Sequence, residues 1–143
     1  NLDPASPAFV DADPGARTIV VTRRESGLGA DTATARHDEL AEVADIVVAG
    51  EASVDLKSTR TQLGDLGLHR LLCEGGPSLF GDMLTAGVVD DLCVTTSPLI
   101  AGQSTANRTT LTGHDALPSQ HDVTLASLVQ ASNSLLARWL LRK

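Results

Sequence analysis

The run Cys73-Glu74-Gly75-Gly76-Pro77-Ser78 gathers a carboxylate, two consecutive glycines and a hydroxyl within six positions. Paired glycines let the backbone come close to a ligand with no Cβ in the way, and they admit unusual dihedrals. Pro77 suits the first position of a helix, because its missing N–H would be an orphan there in any case. A helix opening at Pro77 points its free N–H groups and the positive end of its dipole at the glycines, an arrangement that attracts phosphate or pyrophosphate. Ser78 can add a hydroxyl donor, and Glu74 stands beside the bound anion's neighbour, not on the anion. The same glycines also serve an ordinary tight turn, and the run is not the GxGxxG fingerprint. Gly76-Pro77-Ser78 starts like the GxSxG elbow of serine hydrolases. Phe80 stands where that elbow needs its second glycine, which excludes the reading.

Other chemistry-bearing residues are sparse. Arg23 and Arg24 directly follow an apolar run. One of them could meet the 2′-phosphate that separates NADPH from NADH, or both could be solvated loop arginines. Cys73 and Cys93 show no CxxC or metal spacing and read as small buried hydrophobes. His37, His69, His114 and His121 are scattered without a ligand pattern, so no metal is expected. Asp90-Asp91 reads as a turn device.

The elements that must position these residues follow from periodicity. Residues 1–16 read as an extended connection. Residues 17–22 (RTIVVT) and 45–49 (DIVVA) are short β-branched runs typical of buried strands. Between them, residues 23–34 read as loop and residues 37–44 as a short helix. Residues 58–67 follow as a helix stopped by Gly67. Residues 68–73 (LHRLLC) read as a third strand, which delivers the chain to the glycine turn at the carboxyl edge of a sheet, where open α/β sheets bind ligands. Residues 78–86 carry Leu79, Phe80, Met83 and Leu84 on one helical face, closed by Gly87. Residues 91–97 read as a strand, residues 103–120 as irregular, and residues 123–129 and 135–141 as an antiparallel hairpin. Alternating strands and helices imply an α/β fold with a mostly parallel sheet, to which the hairpin adds antiparallel strands.

A chain of 143 residues is expected to form one domain. With 42% hydrophobic and 20% charged residues it has globular composition. Aromatics make up only 2%, so the core must be built from Leu, Val, Ile and Ala. The net charge of −7 leaves no basic footprint for nucleic acid. No apolar run is long enough to span a bilayer as a helix. The tail at 135–141 is apolar but short, and Arg138 interrupts it.

The ordered set Leu71-Leu72-Cys73-Glu74-Gly75-Gly76-Pro77-Ser78-Leu79, Leu84, Gly87-Val88-Val89-Asp90-Asp91-Leu92 and Ser97-Pro98-Leu99-Ile100-Ala101-Gly102 resembles the reductase (C-terminal) domain of the bifunctional riboflavin-biosynthesis deaminase–reductase family. The resemblance spans about thirty residues in order and spacing, far more specific than the glycines alone. It implies a dihydrofolate-reductase-like fold, with helices on both faces of a mostly parallel sheet. It also implies NADPH-dependent reduction of the ribosyl group of 5-amino-6-(5-phosphoribosylamino)uracil to ribityl, by a cytoplasmic homodimer.

Carried over residue by residue, the resemblance makes Glu74 the catalytic residue, beside the ribosyl carbon. It makes Gly75, Gly76, Pro77, Ser78, Leu79 and Phe80 cofactor-binding, within a lining that runs to Asp82, and it implies a cis Gly75–Gly76 peptide. Arg23 joins them as the 2′-phosphate candidate. Glu74 would orient the ribose hydroxyls or assist proton delivery to the reduced oxygen; orienting is favoured, since the sequence identifies no partner to tune its acidity. The alternatives are reduction of dihydrofolate or another pterin or pyrimidine, and a nucleotide-binding module without turnover.

The family's early SxDG-like element and GxxT-like nucleotide loop do not occur in this sequence. The expectation is therefore the downstream part of a reductase domain lacking its N-terminal strands. Such a piece should leave a hydrophobic sheet edge exposed and be a poor enzyme alone.

Overall fold

The computed structural model describes residues 3–10, 17–24, 30–99, 111–112 and 120–142. These form two compact units, residues 1–70 and 71–143. The class is α/β.

In the first unit, β1 (Thr18–Thr22) and β2 (Ala44–Val48) pair in parallel, with Thr18 opposite Ala44 and Thr22 opposite Val48. These are two of the expected β-branched runs, within one residue of the expected bounds. Their connection is α2 (Ala30–Val43). This helix starts earlier than the expected 37–44, so residues 30–34 are helical, not loop. Arg17, just ahead of β1, closes the far end of α2. Its Nη2 donates to the carbonyls of Ala41 (2.9 Å) and Ala44 (3.0 Å), its Nη1 to Glu42 (3.4 Å), and its Nε to Asp45 Oδ1 (2.9 Å). A cation on the last carbonyls opposes the negative end of the helix dipole, and α2 supplies none of its own in its last turn.

A four-residue helix, α1 (Pro7–Val10), replaces part of the extended connection expected over 1–16. It docks on β1 through the Thr18 hydroxyl, which donates to the Ala8 carbonyl at 2.6 Å. Phe9, Ala44, Val47 and Ala49 form the buried core of this unit.

α3 (Leu56–Asp65) is capped at both ends. Asp55 accepts from the N–H groups of Lys57 (2.9 Å) and Ser58 (3.0 Å). Gly67 takes φ 84°, so that Leu68 N–H reaches the Leu63 carbonyl and Gly67 N–H the Gly64 carbonyl, both at 2.9 Å.

In the second unit, α4 (Pro77–Thr85) is followed by β3 (Asp91–Thr96) and by a hairpin of β4 (Val123–Ala131) and β5 (Ser134–Leu141). The sheet order is β3-β5-β4, antiparallel throughout. The hairpin arms run two residues longer on β4 and one on β5 than the sequence pattern indicated. The chain reverses in two residues, Ser132 and Asn133, and Ser132 adopts the positive φ (54°) that a tight hairpin turn demands. Arg138 Nε donates to Asp91 Oδ1 at 2.6 Å across β3 and β5, and this bond holds the guanidinium pKa above its ordinary value.

One expected strand is not there. Residues 68–73 lie in no helix and join neither sheet, and Leu71 and Leu72 are exposed. An apolar run becomes a strand only when a neighbour takes up its backbone N–H and C=O groups. Among the described residues no strand does so. Of the irregular stretch expected at 103–120, all but residues 111, 112 and 120 lie outside the described residues.

Candidate functional site

The candidate site is the entrance to α4. Residues 71–76 lead into the helix outside any strand, the Gly75–Gly76 peptide is cis, and Gly75 takes φ 99°. Gly76 is the N-cap residue and Pro77 opens the helix. A Cβ placed on Gly75 or Gly76 would meet no atom of the described residues within 4 Å, so among these both glycines border open space.

The two helices with defined caps differ at their N-termini. In α3 the Asp55 carboxylate already occupies the first N–H groups. In α4 no side chain of the described residues caps the start, and Pro77 brings no N–H. Phe80 N–H bonds the Gly76 carbonyl at 3.1 Å. The donors left pointing out of the helix start are those of Ser78 and Leu79, joined by the exposed Ser78 hydroxyl. With the dipole's positive end behind them, they can hold an anionic oxygen next to the open glycines.

The rest of α4 anchors this entrance. Leu84 is buried, Phe80 and Met83 are half-buried, and Leu79, expected on the same face, is exposed. The helix ends in a closed cap: Gly87 (φ 66°) donates to the Leu84 carbonyl at 2.9 Å and Val88 N–H to that of Met83 at 3.1 Å. Val88 is buried just beyond.

Glu74 is exposed at the mouth of the turn, immediately before the glycines. Its carboxylate is therefore free to meet a ligand lying over the open backbone. Cys73 is half-buried, whereas Cys93 is exposed on β3, against the expectation that both are buried. The reason is the sheet's pleat: Cys93 lies on the face shared with Arg138, its partner across the ladder.

Arg23 belongs to the first unit, at the carboxyl end of β1. Its Nη1 donates to the Ala52 carbonyl at 2.8 Å, tying the strand end to the loop after β2. Arg24 N–H bonds the Gly50 carbonyl at 2.8 Å, and its guanidinium stands 3.5 Å from Glu51 in a largely exposed pair. Both arginines thus have structural partners, and both remain exposed.

Gly81 falls within the lining that the resemblance carries to Asp82, but its close packing was not read from the sequence. It is buried in the middle of α4, where a Cβ would lie 2.6 Å from the Thr112 carbonyl oxygen. A glycine inside a helix is unfavourable by about 1 kcal/mol relative to alanine, which was the available signal that something packs there. No cluster of three or more His, Cys, Asp or Glu side chains suited to a metal occurs among the described residues.

The family described as the RibD C-terminal domain matches residues 4–137 of this sequence. The chain belongs to the RibD C-terminal domain family. This RibD-type chain is 44% identical over 64 residues to the 2,5-diamino-6-ribosylamino-4(3H)-pyrimidinone 5′-phosphate reductase of Methanothermobacter thermautotrophicus, an alignment covering 45% of this chain and 30% of that protein. All of it superposes on 58% of a pyrimidine reductase-like protein from Corynebacterium diphtheriae, with TM-score 0.75 and 23% identity. A RibD structure from Acinetobacter baumannii matches 87% of this chain and 37% of its own length, with TM-score 0.53 and 15% identity. The fold is thus that of the RibD-like reductases, the dihydrofolate-reductase-like fold that the sequence resemblance implied. The RibD-type chain spans about a third of the archaeal relative and just over half of the corynebacterial one.

Proposed function

We propose that this chain is part of an NADPH-dependent pyrimidine reductase of riboflavin biosynthesis. It would reduce the ribosyl group of 5-amino-6-(5-phosphoribosylamino)uracil, or of the 2-amino pyrimidinone named for its archaeal relative, to ribityl. The observation carrying this reading is the α4 entrance: an uncapped helix start, two glycines bordering open space and one exposed carboxylate, within a chain of the RibD C-terminal domain family.

The residues present fit a dinucleotide. Ser78 and Leu79 N–H would bind diphosphate oxygens, assisted by the Ser78 hydroxyl. Gly75 and Gly76 leave space for the ligand to lie against the backbone, and Pro77 and Phe80 complete the lining. Arg23 lies in the other unit and is given no role at this turn. When bound, NADPH supplies the hydride. The chain's own contribution is positioning: Glu74 orients the ribose hydroxyls beside the turn, so that the reacting carbon is held at a fixed distance.

The complete site needs more than this chain. The chain's partial span of its relatives and the unpaired residues 68–73 both support further strands completing the reductase domain. The enzyme is proposed to be a homodimer of the cytoplasm. No helix among the described residues is long and apolar enough to cross a membrane.

The test is NADPH oxidation by the protein with each of the two pyrimidines and with dihydrofolate. Oxidation dependent on a ribosylamino pyrimidine is expected. Oxidation with dihydrofolate alone would move the enzyme to another substrate. Tight NADPH binding with no turnover of any would make it a nucleotide-binding module.

A further inference from the structure

The turn at residues 111–112 presses on α4 at Gly81. A Cβ at this buried position would lie 2.6 Å from the Thr112 carbonyl oxygen, 3.4 Å from its carbonyl carbon and 3.5 Å from its Cβ. The approach exists only because position 81 carries no side chain. Backbone meets backbone here, so no flexible group can swing aside. At Gly64, inside α3, the nearest atom is instead a side-chain nitrogen at 3.7 Å.

Positions three and four apart on a helix share a face. Gly81 therefore stands in line with Pro77 and Ser78 toward the start of α4, and with the buried Leu84 toward its end. The contact lies one turn behind the N–H groups of Ser78 and Leu79. Among the described residues no side chain caps that start, and Glu74 and Ser78 are exposed. The bond from Phe80 N–H to the Gly76 carbonyl is internal to the entrance and ties it to no other element. A helix bends only gently over nine residues, so a displacement at 81 is carried into the first turn.

We propose that Gly81 is a positioning residue for the cofactor turn: its missing side chain lets the Thr112 carbonyl rest against α4 and set the aim of the Ser78 and Leu79 N–H groups. This rests on the reading of the α4 entrance as the NADPH diphosphate site. Gly81 acts through its helix and not by touching the cofactor.

The distances set the size of the effect. A methyl group at 81 requires helix and turn to separate by roughly 0.8 Å, the difference between 2.6 Å and the 3.4 Å at which ordinary contact begins. N–H···O bonds span only about 2.7–3.2 Å. A shift of that size stretches or bends a diphosphate bond, and one bond to a charged group changes affinity about tenfold.

The test compares Gly81→Ala with Gly87→Ala in the 143-residue chain, by calorimetric titration with NADPH. Gly87 closes the other end of α4 at φ 66°, a conformation that alanine resists, and a Cβ there meets no atom of the described residues within 4 Å. Both variants strain the same helix, but only one disturbs the contact with Thr112. NADPH affinity should fall about tenfold in Gly81→Ala and stay within about twofold of wild type in Gly87→Ala. Equal weakening in both would reduce Gly81 to helix stability and overturn the proposal. Wild type and a folded Gly81→Ala binding alike would overturn the proposal and leave the cofactor reading standing. A wild type that does not bind NADPH would overturn both. If either variant does not fold by far-UV circular dichroism, amide exchange of wild type decides, because coupling between contact and site is reciprocal. NADPH must then slow exchange at Thr112, and exchange there indifferent to NADPH overturns the proposal.

Discussion

Gly81→Ala is the substitution on which helix propensity and packing give opposite signs. By propensity alone, alanine in the interior of α4 stabilises by about 1 kcal/mol. In the structure, the new Cβ would lie 2.6 Å from the Thr112 carbonyl oxygen and 3.4 Å from its carbonyl carbon. Those are backbone atoms, so the clash is relieved only by moving the segment at 111–112 or tilting α4. Overpacking of this kind costs about 1–3 kcal/mol. The net expectation is destabilisation by about 1 kcal/mol. Gly64→Ala is the matched control. Gly64 is also helical, in α3, and its nearest neighbour outside the helix is His69 Nδ1 at 3.7 Å, an ordinary contact. That substitution should stabilise by about 0.5–1 kcal/mol. Urea unfolding followed by far-UV circular dichroism reads both signs. If Gly81→Ala raised the midpoint as much as Gly64→Ala, the packing of 111–112 on α4 would be refuted. NADPH affinity should fall with Gly81→Ala, because α4 carries the turn, and stay unchanged with Gly64→Ala.

Two further outcomes are expected. Glu74→Gln should lower turnover about 100-fold while leaving NADPH affinity intact, since it removes an orienting carboxylate and no phosphate ligand; an unchanged rate in steady-state kinetics removes Glu74 from the site. Asp55→Ala should destabilise the first unit by about 1 kcal/mol through loss of the α3 cap, with no effect on NADPH binding, read by urea unfolding and by titration.

The sequence by itself determined the local parts of this protein. The β-branched runs at β1 and β2, the apolar face of α4 and the Gly-terminated helix ends are written in residue type and spacing, because each depends on atoms a few positions apart. The Glu74-Gly75-Gly76-Pro77-Ser78 turn was legible for the same reason, and with it the uncapped start of α4. Long-range partners decided the rest. Arg17, a strand-end residue by sequence, terminates α2 from more than twenty positions away. Gly81 matters because the Thr112 carbonyl lies against it, and nothing within its own helix says so. Residues 68–73 have the composition of a strand and are not one, because pairing belongs to two segments and composition to one. The bare edge of β4 also emerges only from sheet order: the pattern VTLASLVQA specifies a strand, but not that its outer side is left without a neighbour among the described residues.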